Sequence, residues 1–264
     1  MTRMNPIKAK LAAGGRVFGT WSMLSSPAVV NVVGAAGADF VIIDLEHGPT
    51  SFETAEAEIY AAEAGGTTPI IRLGESSEPT ILRALEIGTQ CLLVSHVGDP
   101  VETARVVEAA RYAPEGSRGL SPFTRHHGYS ADDLPAKLRR ANEELFLGVL
   151  VEGPGALAHL DAIAATPGLD MVYLGIYDLS AAVGVPGDLH HPKVLNTVRE
   201  CVARIEAHGA VAGSVAPDPD YLEILFDAGF RFLSYSVDSA ILRGGLETAR
   251  LMYEDLVSRS RSDG

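Results

Sequence analysis

The chain has 264 residues, of which 47% are hydrophobic and 21% are charged, and this is sufficient for one large domain with its own core. Its formal net charge is −13, and the acidic residues are spread along the chain, whereas nucleic acids and anionic membranes attract basic patches. The composition therefore favours a soluble protein that acts on small molecules, with no nucleic-acid or membrane partner.

Apolar runs predict strands, and amphipathic stretches between them predict helices. The predicted strands lie near residues 17–23, 39–45, 68–73, 91–97, 146–152, 171–177, 210–216 and 230–237. The predicted helices between and after them cover 27–36, 52–64, 78–87, 101–113, 156–165, 194–208, 221–228 and 241–257. Eight such units in roughly 250 residues are typical of a closed barrel, so we predict a single α/β domain, a (β/α)8 TIM barrel over residues 1–264.

An open doubly wound sheet is the alternative that the same alternation permits. Against it, no GxGxxG motif follows the first strand, where Gly19-Thr20-Trp21-Ser22 stands instead. The long connection at 114–144, with a short helix at 132–142, exceeds an ordinary loop, and we expect it to lie over the carboxyl face and cover a site. The C-terminal helix is expected to take part in assembly.

Compartment and membrane topology follow from a few residues. Only Cys91 and Cys201 are present, each in an apolar segment, which favours a reducing cytoplasm over a disulfide framework. The N-terminus lacks an apolar core, and the longest apolar stretch, 28–43, is broken by Asn31 and Asp39. We therefore predict neither a signal peptide nor a membrane span.

Charged side chains follow several predicted strands at their carboxyl ends, where barrel enzymes place their active sites. They are Asp44, Glu46, His47, Arg72, Glu152 and Asp178. Glu152 and Asp178, on neighbouring strands with no cysteine or histidine beside them in sequence, form an oxygen-donor pair that suits Mg²⁺ or Mn²⁺. The alternative is that each carboxylate only caps the helix that follows.

The lysines narrow the chemistry further. Lys8, Lys10, Lys137 and Lys193 all lie in terminal or helix-flanking positions, so none could form a Schiff base at the barrel mouth. Activation of a carbonyl group would then require a metal ion.

Several short motifs, in the same order, resemble the HpcH/HpaI aldolases, which are metal-dependent class II pyruvate aldolases related to 4-hydroxy-2-oxoheptanedioate and 2-dehydro-3-deoxyglucarate aldolases. They are Gly19-Thr-Trp21, Asp44-Leu-Glu-His47-Gly-Pro, Ile71-Arg72, Glu86-Ile-Gly-Thr-Gln90, the segment from Arg111 to Gly119, Glu152, Asp178-Leu-Ser and His191-Pro192. The resemblance implies a TIM barrel assembled as a hexamer that acts on a 2-oxo acid and an aldehyde.

The same resemblance implies roles for individual residues. Glu152 and Asp178 would ligate Mg²⁺, Mn²⁺ or Co²⁺, to which the 2-oxo acid binds. Arg72 would stabilise the enolate oxygen, and His47 would move the proton, since imidazole titrates near neutral pH. Glu86 would orient His47.

Other residues would complete the site. Backbone amides around Gly175, Ile176 and Tyr177 would hold the substrate carboxylate at a helix N-terminus. Trp21 would form part of the pocket wall, with Asp44 and Glu46 in support.

Purely structural roles remain open for some of these residues. His47 could be a loop histidine, Arg72 could only pair with Asp44 or Glu86, and Trp21 could belong to the core. His96, at the end of the fourth strand, is interpreted first as a packing residue. Metal binding is not expected from the other paired histidines, which are His126, His127, His190 and His191.

The chain also departs from the family pattern near the site. The family has Asp where Glu86 stands, Gln where Leu150 stands and Thr or Ser where Gly153 stands, and Ile176-Tyr177 replaces a Pro-x pair. We therefore expect the enolate chemistry on an altered substrate. The alternatives are an oxaloacetate decarboxylase, an enzyme of the citrate lyase β type that uses acyl-CoA, and a catalytically silent barrel that only binds a ligand.

Overall fold

The structure is a computed structural model that describes residues 3–262. Within that range, eight strands pair in parallel and in sequence order, and the pairing of the first with the last closes a barrel. This confirms the predicted (β/α)8 barrel and excludes the open sheet, in which the two edge strands would stay unpaired. The ends of the predicted domain, residues 1–2 and 263–264, lie outside the described residues.

The strands are β1 (Val17–Ser22), β2 (Phe40–Asp44), β3 (Thr68–Leu73), β4 (Cys91–Val94), β5 (Phe146–Val151), β6 (Met171–Leu174), β7 (Val211–Ala216) and β8 (Phe232–Val237). The α-helices are α1 (Pro6–Ala12), α2 (Pro27–Ala35), α3 (Phe52–Gly65), α4 (Glu78–Glu86), α5 (Pro100–Ala110), α6 (Leu134–Glu144), α7 (Pro154–Ala158), α8 (Leu160–Ala164), α9 (Ile176–Ala182), α10 (Pro192–Ala207), α11 (Pro219–Ala228) and α12 (Asp238–Ser262). The predicted helix at 156–165 is thus two short helices, and the predicted strand at 171–177 ends early because α9 begins at Ile176.

The core has two layers, as a parallel barrel requires. One layer fills the barrel interior, where the rings of Phe40 and Phe232 stack with centroids 4.1 Å apart. The other layer lies between the barrel and its helices. Gly19 of β1 is needed for this packing, because a Cβ atom there would approach the carbonyl oxygen of Phe40 to 2.2 Å.

Local signals explain where the helices begin. Asp99 caps α5, since its Oδ1 accepts hydrogen bonds from the amides of Val101 and Glu102 at 2.8 and 2.9 Å. Asp218 caps α11 in the same way, through the amide of Tyr221 at 2.8 Å. Both helices also have proline in their first turn.

The segment 114–144 does not lie where we expected. It connects α5 to β5, and because α5 runs back along the barrel, this connection starts at the amino end rather than the carboxyl end. The segment packs outside the barrel, where Arg125 donates to Glu63 of α3 at 2.9 Å and to the carbonyl of Ile87 at 3.2 Å. Within one copy of the described chain, the segment therefore does not cover the carboxyl face.

Helix α12 leaves the barrel. It begins at Asp238, directly after β8, and no loop turns it back along the barrel wall. Asp238 fixes this exit by accepting hydrogen bonds from the amides of Met23 and Leu24 at 3.0 and 3.1 Å. Seven apolar side chains of α12 are 45% to 67% exposed, namely Ile241, Leu242, Leu246, Leu251, Met252, Tyr253 and Leu256.

Among residues 3–262, no helix has both the length and the apolar character needed to cross a bilayer.

Candidate active site

The carboxyl end of the barrel encloses a cavity of about 370 Å³, which we call the carboxyl-face cavity. Most of the residues predicted for the site line it, and these are Trp21, Asp44, His47, Arg72, Glu152, Gly175, Ile176, Tyr177 and Asp178. None of its lining residues, within the described chain, comes from the segment 114–144. The barrel thus brings together side chains that are more than 150 residues apart in sequence.

Arg72 is fixed in this cavity by its neighbours. Its Nη1 donates to Oδ1 of Asp44 at 3.0 Å, and its Nε lies 2.9 Å from Oε2 of Glu46. Nε also donates to the hydroxyl of Ser95 at 2.7 Å. Arg72 is 4% exposed, so a charged guanidinium is held in one orientation at the cavity wall. The pairing with Asp44, which the sequence left open, therefore coexists with a place in the cavity.

His47 occupies the mouth of the cavity. Its side chain is 64% exposed, and its Nε2 lies 3.7 Å from Oε1 of Glu46. The loop that carries His47 is held by Asp44, whose Oδ1 accepts from the amides of Glu46 and His47 at 2.8 and 3.2 Å. Asp44 therefore orders both Arg72 and the His47 loop.

Glu152, directly after β5, and Asp178, in the first turn of α9, form a carboxylate pair. Burial is the main cause that raises the pKa of Glu152 above its usual value, and the charge of Asp178 adds to it, whereas His96 opposes it. Oε1 of Glu152 is buried and accepts no hydrogen bond from the described residues. A buried carboxylate oxygen without a donor, beside a second carboxylate, fits a hard divalent cation.

The protein supplies few ligands to such a cation. Residues 3–262 contain no cluster of three or more His, Cys, Asp or Glu side chains placed to hold a metal. Two carboxylates are nevertheless a typical protein contribution for Mg²⁺, with water and substrate completing the coordination.

The start of α9 provides backbone donors, with one change from the prediction. The amide of Gly175 donates to the carbonyl of Val151 at 3.1 Å, so it is not free for a substrate. Ile176, Tyr177 and Asp178 occupy the first turn of α9, where amides have no partner within the helix. Of the three backbone amides predicted to bind the substrate carboxylate, that of Gly175 is therefore already engaged.

Trp21 belongs both to the cavity wall and to the core. Its Nε1 donates to the hydroxyls of Tyr173 and Ser234, each at 3.0 Å, and it is 7% exposed. The guanidinium carbon of Arg72 lies 5.6 Å from the centre of its ring. Tyr177, in contrast, is 56% exposed at the rim.

Glu86 does not take its expected place beside His47. It is the last residue of α4, and because this helix runs back along the barrel, its end is distant from the carboxyl face. Its Oε1 accepts a hydrogen bond from Nη2 of Arg118 at 2.8 Å, and the hydroxyl of Tyr112 lies 3.5 Å away. Within the described chain the carboxylate paired with His47 is Glu46, so the structure does not support the role expected for Glu86.

Sequence reasoning missed some of the cavity. Val215, Ser236 and Ala240, from the ends of β7 and β8 and the start of α12, line it but carry no charge that could mark them. His96 was interpreted as a packing residue, yet its side chain is 59% exposed and faces two carboxylates. The left-handed backbone of His96, with φ of 58°, is the feature that a sequence could not show.

The other paired histidines lie elsewhere. His126 and His127 are buried residues of the segment 114–144, and the pKa of each is lowered, first by burial and then by Arg118. His191 caps α10 by accepting from the amide of Lys193 at 3.1 Å, and His190 packs edge-on against Tyr221.

Fold and site together define a (β/α)8-barrel enzyme with a fixed arginine and an acidic donor pair at its carboxyl face. The chain belongs to the HpcH/HpaI aldolase/citrate lyase family, whose model matches residues 17–244. This confirms the resemblance seen in the sequence motifs and the expected class of enzyme, a carbon–carbon lyase.

Similar proteins support this assignment. The chain is 34% identical over 244 residues to a pyruvate aldolase of Rhizobium etli, with 92% of this chain and 95% of the relative covered. It is 33% identical to a 5-keto-4-deoxy-D-glucarate aldolase of Salmonella arizonae, with 92% and 94% covered. An HpcH/HpaI aldolase/citrate lyase family structure from Burkholderia cenocepacia J2315 superposes with a TM-score of 0.88 at 26% identity, covering 96% of this chain and 99% of that chain.

Proposed function

We propose that this protein is a divalent-metal-dependent aldolase that cleaves and forms 4-hydroxy-2-oxo acids by way of a pyruvate enolate. The main support is that Glu152, whose buried Oε1 has no hydrogen-bond donor in the described chain, shares the carboxyl-face cavity with Asp178, Arg72 and His47. The names of the relatives, pyruvate aldolase and 5-keto-4-deoxy-D-glucarate aldolase, support the same reaction class.

Each side chain has a defined task in this proposal. Glu152 and Asp178 would hold Mg²⁺, Mn²⁺ or Co²⁺, and this cation would supply polarisation of the keto group. Arg72 faces the developing enolate charge, and its fixed orientation means that little reorganisation is needed during the reaction. His47, exposed at the mouth, exchanges the proton of the 4-hydroxyl group with solvent.

Backbone amides and an aromatic wall hold the substrate in this proposal. The amides of Ile176 and Tyr177 receive the substrate carboxylate at the start of α9, and Trp21 forms a wall. Leu150 and the exposed Tyr177 also line the cavity, so the acceptor pocket combines an apolar side chain with a phenol at the rim. An acceptor aldehyde with an apolar portion suits this lining.

The direct test is a screen of aldehydes with pyruvate, run with Mg²⁺, Mn²⁺ or Co²⁺ and with EDTA. We expect product only in the presence of a metal, together with exchange of pyruvate methyl protons in D₂O. Glu152→Gln and Asp178→Asn should abolish both. Asp161→Asn, which removes an exposed carboxylate paired with Arg204, is the matched control and should change neither. Exchange that survives both EDTA and Glu152→Gln would contradict the proposal.

Decarboxylation is the second candidate, because oxaloacetate would yield the same enolate in the same cavity. Rates of pyruvate release from oxaloacetate and from 4-hydroxy-2-oxo acids separate the two activities. A silent barrel would show neither release nor proton exchange.

We also propose that α12 packs against a second copy of the chain, so that the protein is a homo-oligomer. A helix after β8 would ordinarily cover the outer wall between β8 and β1, yet α12 leaves this wall, and Phe18 of β1 remains 46% exposed. Nearby Phe226 of α11 is 49% exposed. The α12 of a partner copy supplies the missing apolar cover, and the exchange is reciprocal. The hexamer implied by the family resemblance is the proposed final state.

Assembly is tested by light scattering of the full chain and of Leu246→Glu with Met252→Glu. We expect a single oligomer for the unchanged chain and dissociation for the double variant, since both side chains are more than 60% exposed in one copy. Thr248→Glu, on the same helix, is a control for added charge. A monomeric unchanged chain would contradict the assembly proposal.

We place the protein in the cytoplasm, in keeping with its free, buried Cys91 and Cys201.

A further inference from the structure

His96 lies between two carboxylates at the edge of the cavity. Its Nε2 is 2.9 Å from Oε1 of Glu46, and its Nδ1 is 3.3 Å from Oε1 of Glu152. Each ring nitrogen thus faces a different acidic side chain. Nε2 forms a hydrogen bond with Glu46, and Nδ1 contacts Glu152 without a hydrogen bond, so the ring bridges the two carboxylates.

These contacts extend a longer chain of charged groups. Asp44 pairs with Arg72, Arg72 pairs with Glu46, and Glu46 pairs with His96, which reaches Glu152. The chain crosses the carboxyl ends of β2, β3, β4 and β5. Through His96, the proposed metal ligand Glu152 is connected to the arginine that faces the enolate.

The backbone at His96 is in an uncommon conformation. Its φ of 58° lies in the left-handed region, which side chains other than glycine adopt infrequently. Such a conformation persists where surrounding contacts impose it, and these positions concentrate at functional sites. Here it directs the ring toward Glu46 and Glu152.

A second hollow explains why Glu152 needs this support. Glu152 and Asp178 border the carboxyl-face cavity on one side and an open hollow of about 550 Å³ on the other, and His96 lines only the hollow. Without the imidazole, the Glu152 side chain could rotate into this open space and lose its alignment with Asp178.

We infer that His96 is a positioning residue that holds Glu152 in its metal-binding orientation by anchoring it to the Glu46–Arg72 pair. This inference rests on the proposed function, since it assigns Glu152 to the metal. Residues that orient a ligand without touching the metal typically affect affinity by about 10-fold to 100-fold.

The test compares His96→Gly with His96→Asn in the full chain. Both residues tolerate positive φ, so the backbone is preserved, but only Asn retains a side-chain donor. We expect the Kd for Mn²⁺, measured by electron paramagnetic resonance of free Mn²⁺, to rise about tenfold in the Gly variant and by less in the Asn variant. Saturating Mn²⁺ should restore kcat in both. His208→Asn, which alters a histidine paired with Asp161 outside the cavity, is the control and should leave Kd unchanged.

The outcomes separate the two proposals. If wild type binds Mn²⁺ and Glu152→Gln does not, but both His96 variants stay within twofold of wild type, the inference fails and the proposed function stands. An Asn variant no better than the Gly variant also overturns it, because a polar side chain at position 96 would then not be what positions Glu152. If wild type binds no Mn²⁺, the proposed function itself fails.

Discussion

Two regions of this protein concentrate ionisable side chains, and they differ in what surrounds them. In the carboxyl-face cavity, Arg72 and its carboxylate partners border an open space of about 370 Å³. The second region, which we call the Arg118 cluster, consists of Glu86, Tyr112, Arg118 and His127. There, Arg118 is 6% exposed and pairs with Glu86, and the hydroxyl of Tyr112 lies 2.8 Å from Nε2 of His127.

The comparison shows that motif residues of a family need not share one task within a single chain. Glu86 and Arg118 both lie in motifs that resemble the family, yet they pair with each other and line no part of the carboxyl-face cavity. Arg118 also stacks over the ring of Tyr112 at 4.4 Å. We interpret the Arg118 cluster as a tether that fixes the long segment to α4, and the cavity as the chemical site.

The largest effect is expected from Arg72→Lys, which keeps the charge but loses the planar fork that reaches Asp44 and Glu46. Because enolate stabilisation depends on a fixed donor, kcat should fall by about 10²- to 10³-fold. Steady-state kinetics at saturating Mn²⁺ measure this, with circular dichroism to check the fold. A change below about threefold in kcat would remove Arg72 from the chemistry.

Arg118→Met should produce the opposite pattern, a loss of stability with little loss of metal binding. Breaking a buried ion pair leaves Glu86 without its cation and costs about 3–5 kcal/mol of unfolding free energy, which urea denaturation measures. Arg204→Met, which breaks an exposed pair with Asp161, should cost about 1 kcal/mol or less. Equal losses in the two variants would show that the Arg118 cluster is not a tether.

Glu58 of α3 sharpens the comparison because it is a buried carboxylate that belongs to neither region. Its pKa is raised to about 7, first by burial and then by the charge of Asp238. Because the pKa of Glu58 is raised, the folded state holds this proton more tightly than the unfolded state does. The contribution of Glu58 to the free energy of unfolding therefore falls as pH rises from about 4.5 to about 7 and is then constant.

Glu58→Gln should remove this pH dependence. We expect a gain of about 1–3 kcal/mol at pH 8 and almost none at pH 4.5, measured by urea denaturation at both values. Glu53→Gln, on the same helix but exposed, should change stability equally little at both. A Glu58 variant whose stability relative to wild type is the same at pH 4.5 and pH 8 would contradict the assignment.

The smallest effect is expected from Trp21→Phe, at the boundary between cavity and core. The change removes the indole donor to Tyr173 and Ser234, but these two hydroxyls still bond to each other at 2.6 Å. The loss of unfolding free energy should be about 1 kcal/mol, with a modest rise in KM for the 2-oxo acid. A loss as large as that of Arg118→Met would make Trp21 mainly a core residue.

The fold was accessible from sequence because its signals are local. Apolar runs such as Val41-Ile42-Ile43 and caps such as Asp99 and Asp218 act within a few residues. Once the barrel is assumed, strand ends converge on one face, so Arg72, Glu152 and Asp178 could be grouped without coordinates. The Cys91–Val94 strand was overpredicted toward residue 97 because the apolar Val97 continues the run beyond its last paired residue.

Other features required the chain to be folded. The motifs predict Glu86 beside His47, but the direction of α4 places it in the Arg118 cluster. The segment 114–144 looked like a βα loop, but its place after α5 puts it on the other side of the barrel. His96 became a candidate only when its left-handed backbone turned the ring between Glu46 and Glu152.

The sequence by itself determined the alternating elements, the barrel and the face on which the charged residues meet, because periodicity, caps and strand ends are properties of neighbouring residues. Only the tertiary structure decided which carboxylate each arginine or histidine contacts, which amides at the start of α9 are free, and where α12 leaves the barrel. These depend on distances between residues that are remote in sequence, and no local pattern encodes them.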